Sequence, residues 1–342
     1  MKNKVALLTA LGFALAGSAG LAQMPDASRQ VEIMQQRRSL DQAEQPIAGT
    51  NVPSLYEGES SDVGPQSVVE LKPRRTWIQA FADQEYFYTD NLLQTDHGGK
   101  GADVLVSTAQ AALAPTPFAF QGGRLAPQVG YQQQWFNFDL AGSGAANVYN
   151  YNTGTFNNVP LDSFDFNVST VFGDVAWQRQ NWTFSIGGDF LRMLSADNYN
   201  EFYREYGPRG FIRRDFPITP ATSISVAYEG DFLFSRTASP LPPGLTAGYN
   251  DRTDHSLVVY GSWRLCPHAI LQPVYRLEFT HYTDINRDDL LNSFGLTLYC
   301  PLTRSVALRG FVGYDNLATD AQFAQHYEQL SAGVGVNFTV NF

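Results

Sequence analysis

The chain has 342 residues, among them 24 Phe, 17 Tyr and 5 Trp, yet only 16% are charged and the net charge is −10. Average soluble domains carry about 25% charged residues, so an ordinary cytosolic enzyme is disfavoured, and the acidic balance argues against nucleic acid as a partner. No apolar run after residue 22 approaches the ~20 residues of a membrane helix; many aromatics and few charges suit a sheet with lipid on one side and water on the other.

The first segment reads as a secretory signal peptide. Lys2 and Lys4 form a positive start, Val5 to Leu15 is apolar, and Gly17 to Ala22 ends in small residues compatible with cleavage after Ala22. Losing Lys2 and Lys4 takes the net charge from −10 to −12. Residues 23–73 are expected to form a partly disordered periplasmic extension or linker. Asp26 to Glu44 has helix-forming composition with only Val31, Ile33, Met34 and Leu40 as apolar positions, which is marginal for a lone helix. Asn51 to Pro73 is rich in Pro, Gly, Ser and acids.

From Arg74 onward the apolar period is two. Phe342, Val340, Phe338, Val336, Val334, Ala332 and Leu330 share one face, against Asn341, Thr339, Asn337, Gly335, Gly333 and Ser331 on the other. The same alternation separates Ile224, Val226, Tyr228, Phe232 and Phe234 from Ser223, Ser225, Glu229 and Asp231. It recurs in Trp182, Phe184, Ile186 and Phe190, and in Leu271, Tyr275, Leu277 and Phe279 against Gln272, Arg276, Glu278 and Thr280. Strands of this length exceed the soluble norm of about 5–6 residues and suit tilted membrane strands of at least ~9–11.

Five short connections, at residues 114–118, 179–181, 217–220, 266–268 and 300–302, alternate with six long ones at 95–101, 141–161, 195–201, 238–252, 284–289 and 317–324. They delimit twelve strands, with short turns on the periplasmic side and long loops outside. The parity breaks at Gln121 to Asp139 and Ser169 to Gln178, where a bulge is expected. The predicted fold is therefore all-β, a single antiparallel transmembrane β-barrel over residues 74–342 with a short N-terminal periplasmic extension.

The terminal Gly333-Val-Gly-Val-Asn-Phe-Thr-Val-Asn-Phe342 resembles the C-terminal signal of bacterial outer-membrane barrels, with Phe342 last and Val340 and Phe338 within the signal. Tyr86-Phe-Tyr-Thr-Asp-Asn91 is similar to the first hairpin of the β-barrel porins of Gram-negative bacteria. The resemblance implies secretion to the cell outer membrane, contact with outer-membrane lipid, and recognition of the last strand by the barrel-assembly machinery. It selects no substrate, because the class includes diffusion channels, structural proteins and exporters.

Several charges fall on the predicted lumen face: Asp189 on the fifth strand, Glu205, Arg209 and Arg213 on the sixth, Glu229 and Asp231 on the seventh. Arg276 and Glu278 lie on the ninth and Arg309 on the eleventh. Asp189, Arg209 or Arg213, and Glu229 are expected to form a cross-strand ladder, at comparable height with the others. Two readings remain: an eyelet that selects solutes by charge and size, or an ion-pair network that fills a narrow lumen.

Cys266 and Cys300 lie at the periplasmic ends of the eighth and tenth strands. An oxidising compartment favours a bond between them, whereas the intervening strand holds them beyond disulfide reach. The five histidines show no metal-ligand spacing, no nucleophile-elbow motif occurs, and no His has a Ser two positions later as in the twelve-strand outer-membrane phospholipase. His281 is expected outward near the loop side. Trp77, Tyr86, Tyr88, Trp135, Trp177, Trp182 and Trp263 are expected in the interfacial girdles. No catalytic residue, metal or cofactor is expected. The leading expectation is a porin-like channel passing small hydrophilic solutes. Its alternative is a closed structural, adhesive or partner-binding barrel, or an accessory to an export system. Loop 141–161, rich in Asn, Tyr and Gly, is either adhesive or folded into the lumen.

Overall fold

The computed structural model describes residues 77–94, 99–140, 144–150, 155–238, 241, 244–303, 305–320 and 326–342. The signal peptide expected over residues 1–22 and the extension expected over 23–73 lie outside the described residues. Fifteen strands follow in order: β1 (Ile78–Thr89), β2 (Ala102–Leu113), β3 (Phe118–Phe120), β4 (Gly123–Phe138), β5 (Ala145–Asn150), β6 (Thr155–Pro160), β7 (Phe166–Arg179) and β8 (Trp182–Ser195). After these come β9 (Glu201–Thr219), β10 (Thr222–Thr237), β11 (Arg252–Cys266), β12 (Ala269–Tyr282), β13 (Asp288–Pro301), β14 (Val306–Thr319) and β15 (Tyr327–Asn341).

Twelve of them close a ring, β1-β2-β4-β7-β8 through to β15 and back to β1, every neighbour antiparallel. The seam joins the two ends of the described chain. Gln79 pairs with Asn341 and Thr89 with Ser331, and the Trp77 amide donates to the Phe342 carbonyl at 2.7 Å. Closure leaves the twelve strands of the ring without an edge, which is what a sheet needs where no water can satisfy a free edge. The expected antiparallel barrel of twelve strands is present.

The outer face carries the predicted apolar side chains. Ile186 is 71% exposed, Val334 60% and Phe232 54%, and the predicted partners Ser225, Gln272, Arg276, Glu278, Asn337 and Thr339 are buried inside. On β9 the outward residues from Arg204 to Arg214 are Arg204, Tyr206, Pro208, Gly210, Ile212 and Arg214. Ten steps of ~3.3 Å, tilted about 35–45°, give a band near 25 Å tall, the height of a barrel's lipid belt. Trp77, Trp177, Trp182 and Trp263 stand at the end with the termini and short turns, and Tyr86, Tyr88 and Trp135 at the end with the long loops. Arg214 stacks on Trp182 and Phe216 at 5.0 and 4.9 Å there, a cation over ring faces.

Two expectations about the third and fourth strands of the ring are corrected. No bulge interrupts β4 or β7, whose pairing runs unbroken from Arg124↔Gln178 to Phe136↔Phe166. The irregularities lie instead between Met193 and Leu194, Thr222 and Ser223, and Arg264 and Cys266. The turn after β2 is also longer than expected. A small β3–β4 hairpin, turned by Gln121 and Gly122 with φ of 46° and 74°, projects beyond the ring at the short-turn end.

Candidate functional site

The parity break has a different cause. Phe136, Phe138, Phe166 and Val168 face inward, so β4 and β7 are apolar on the lumen side near the loop end. Their partner is the long loop, which folds back as a second, two-stranded sheet, β5 paired to β6 with Ala146 opposite Val159. Ala146, Val148, Val159 and Leu161 are buried in one cluster with these residues and with Val104, Val106, Leu191, Met193, Phe202 and Tyr203. Phe136 and Phe166 stack at 4.5 Å, and Phe202 meets Phe166 edge-on. Of the two expectations for loop 141–161, the described residues 144–150 and 155–161 bear out folding inward.

Asp139 and Asp165 pin the base of this hairpin. Asp139 accepts from the Gly144 amide, Leu161 N–H donates to Gly144 O at 3.0 Å, and Asp165 accepts from the Phe138 amide at 2.7 Å. Burial pushes the Asp165 carboxyl up to about 6. The Phe138 amide opposes that shift, while Asp162 and Asp197 add to it.

All nine predicted lumen charges do face inward, but they form separate groups rather than one belt. Glu205 accepts from Arg252 at 3.1 Å and from Tyr203 at 2.6 Å, with Asp254 on the other side of Arg252 at 2.9 Å. Arg276 pairs with Glu278, and Ser256 bridges them, donating to Glu278 at 2.9 Å and accepting from Arg276 at 3.2 Å. Arg309 reaches Asp83 at 2.9 Å and also Glu85. All these side chains are at most 7% exposed, so the lumen is packed along much of its wall.

The ladder on β8 to β10 is real in location but different in detail. Asp189 lies opposite Gly207 and Glu229 opposite Phe211, so the charges meet diagonally. Arg209 is the hub, in the field of Asp174, Asp189, Glu229 and Asp231, with Asp174 at 3.8 Å. Arg213 instead pairs with Asp215 on its own strand at 3.1 Å. The Arg209 and Arg213 side chains are 33% and 20% exposed, which makes β7 to β10 the less tightly filled side of the lumen. Asp174, Asp83, Glu85, Arg252 and Asp254 were missed in the sequence. The alternation of Phe81, Asp83, Glu85 and Phe87 on one face of β1 is the signal that would have found two of them.

Cys266 and Cys300 are both free thiols, with β12 between their strands, as the geometric argument against a bond requires. His281 is outward at the loop end, 2.6 Å from Asp288. Among the described residues no group of three His, Cys, Asp or Glu side chains is arranged to hold a metal.

No family model and no curated protein matches the sequence. Among solved structures the chain is similar to an outer membrane channel from Pseudomonas putida F1, with 11% identity, TM-score 0.48, and 81% of this chain covering 100% of that one. It is also similar to the β-domain of the Bordetella autotransporter BrkA, with 13% identity, TM-score 0.45, and 78% of this chain covering 100% of that one. An anion-selective porin from Comamonas acidovorans gives 11% identity and TM-score 0.39, with 77% and 98% covered. These likenesses are of architecture.

Proposed function

We propose that the protein is a channel of the Gram-negative outer membrane that passes small hydrophilic solutes, with cations favoured. The reading rests chiefly on one observation, the half-open charged patch around Arg209 inside a barrel whose outside is apolar. Four carboxylates, Asp174, Asp189, Glu229 and Asp231, outnumber the Arg209 guanidinium there, and Asp231 Oδ1 has no hydrogen-bond partner among the described residues. Such groups replace part of a solute's hydration shell and so lower the cost of crossing. The β5–β6 hairpin closes the loop end of this path. The C-terminal strand ending at Phe338, Val340 and Phe342 serves as the assembly signal, and no cofactor is needed.

The packed ion pairs at Arg252, Arg276 and Arg309 favour a second reading, a closed structural barrel. Single-channel recording of the refolded mature protein in planar bilayers separates the two. Stepwise, cation-preferring openings support the channel. A folded barrel that stays silent, both intact and without residues 145–160, supports the structural reading.

A further inference from the structure

The outer face of the barrel carries three arginines side by side. Arg192 on β8 lies opposite Arg204 on β9, and Arg204 lies opposite Arg236 on β10. All three point away from the lumen, near the loop ends of their strands. The Arg192 and Arg204 side chains are 44% and 38% exposed, and Arg236 is exposed. Like charges facing one another across strands destabilise a sheet. Only one carboxylate among the described residues offsets them: Glu201, 2.6 Å from Arg192 and 3.6 Å from Arg204. The row is therefore left with an excess of two positive charges.

Its height on the wall says what supplies the missing anion. The next outward row toward the short-turn end is Phe190, Tyr206 and Phe234, again in register across the same strands, with Tyr206 and Phe234 rings 5.6 Å apart. Aromatic rows of this kind sit where acyl chains give way to headgroups, so the arginines one step beyond stand level with headgroup phosphates. Three guanidiniums across two inter-strand spacings span roughly 10 Å, and their planar forks match phosphate oxygens bidentately.

We propose that Arg192, Arg204 and Arg236 form a binding site for the phosphates of a phosphorylated glycolipid in the outer leaflet. This rests on reading the loop end as the external one, but not on whether the lumen conducts. The test is titration of the refolded full-length mature chain, in neutral detergent, with diphosphorylated lipid A, read by native mass spectrometry and by the melting temperature. Each basic side chain at an anionic lipid surface contributes about fivefold, so R192Q/R204Q/R236Q is expected to weaken binding by about a hundredfold. R214Q, on the opposite rim, is expected to leave it unchanged, and dephosphorylated lipid A is expected to bind the wild type no better than the triple variant. Equal binding by the triple variant and the wild type overturns the proposal. So does inorganic phosphate that displaces lipid A at equal phosphate concentration, which would mark a site for free anions. Single-channel recording of the same variants checks the channel reading separately, because the arginines lie outside the lumen.

Discussion

Arg309 donates to the Asp83 carboxylate at 2.9 Å although the strands that carry them, β14 and β1, are not neighbours. The strand between them, β15, places Gly335 opposite Arg309. A Cβ there would stand 2.9 Å from Arg309 Nε, so the absent side chain is what lets the guanidinium lie across the seam. Replacing Arg309 with Ala would take the guanidinium away from two buried carboxylates, Asp83 and Glu85, a loss of about 3–5 kcal/mol. The expected result is a lower urea midpoint for the refolded barrel in micelles, and G335A should move it the same way by less. A midpoint unchanged in R309A would show that the pair does not hold the seam.

The β5–β6 hairpin governs access to the lumen in the channel reading. Val148 is 1% exposed and Val159 6%, so V148D or V159D would place a charge in an apolar cluster and release β5–β6 from the lumen. In planar bilayers, either substitution or removal of residues 145–160 is expected to raise the conductance or the open fraction severalfold. Records identical to the wild type would mean that the hairpin closes nothing.

Selectivity follows from the charges around Arg209. R209A removes the cation facing Asp174, Asp189, Glu229 and Asp231, and should shift the reversal potential in a KCl gradient further toward potassium. R213A, whose partner Asp215 lies on its own strand and also accepts from Ser225, should act more weakly. A double variant with unaltered selectivity and conductance would remove both residues from the path.

Acidity should tighten the hairpin. The Asp165 carboxyl titrates near 6 when folded against an ordinary 3.8, so the folded loop binds the proton more strongly than the released loop. That stabilisation is complete below about 3.8 and lost as pH rises through about 6. Channel openings are therefore expected to become rarer as pH falls from 7 to 5. In D165N, which is uncharged at every pH, this part of the response should vanish; a wild-type pH profile in D165N would sink the assignment.

Thiol chemistry gives a fifth check. Mass measurement of the unreduced protein after alkylation should find both Cys266 and Cys300 modified, since both are free. A mass two hydrogens short with neither labelled would show that the strand ends move far enough to join them.

Strand faces were legible wherever the lumen is polar, because each strand then has one apolar and one polar side, as in Leu330 to Phe342. The reading blurred at β4 and β7 for a physical reason: Phe136, Phe138, Phe166 and Val168 line the lumen as apolar backing for the hairpin. The hairpin was hard to foresee because its sequence is mostly Asn, Gly, Tyr and Thr, with Ala146, Val148, Val159 and Leu161 the buried apolar positions among the described residues. Individual charges on the lumen face were legible, but not their partners. Partner choice depends on register, and a glycine such as Gly207 opposite Asp189 lets an acid lean to a diagonal neighbour.

The seam also sets a timetable for the nascent chain. Arg309 and Asp83 are 226 positions apart, and Gln329 and Thr89, which bond across the same seam, are 240 apart. Contacts so distant in sequence are the slowest to form, and these must wait until β14 and β15 have been made. Until then the polypeptide must travel as an open curtain with two sticky hems, and whatever escorts it needs to shield both at once. A version cut and rejoined at another turn would move that last stitch elsewhere on the wall and change which part of the chain the escort must guard.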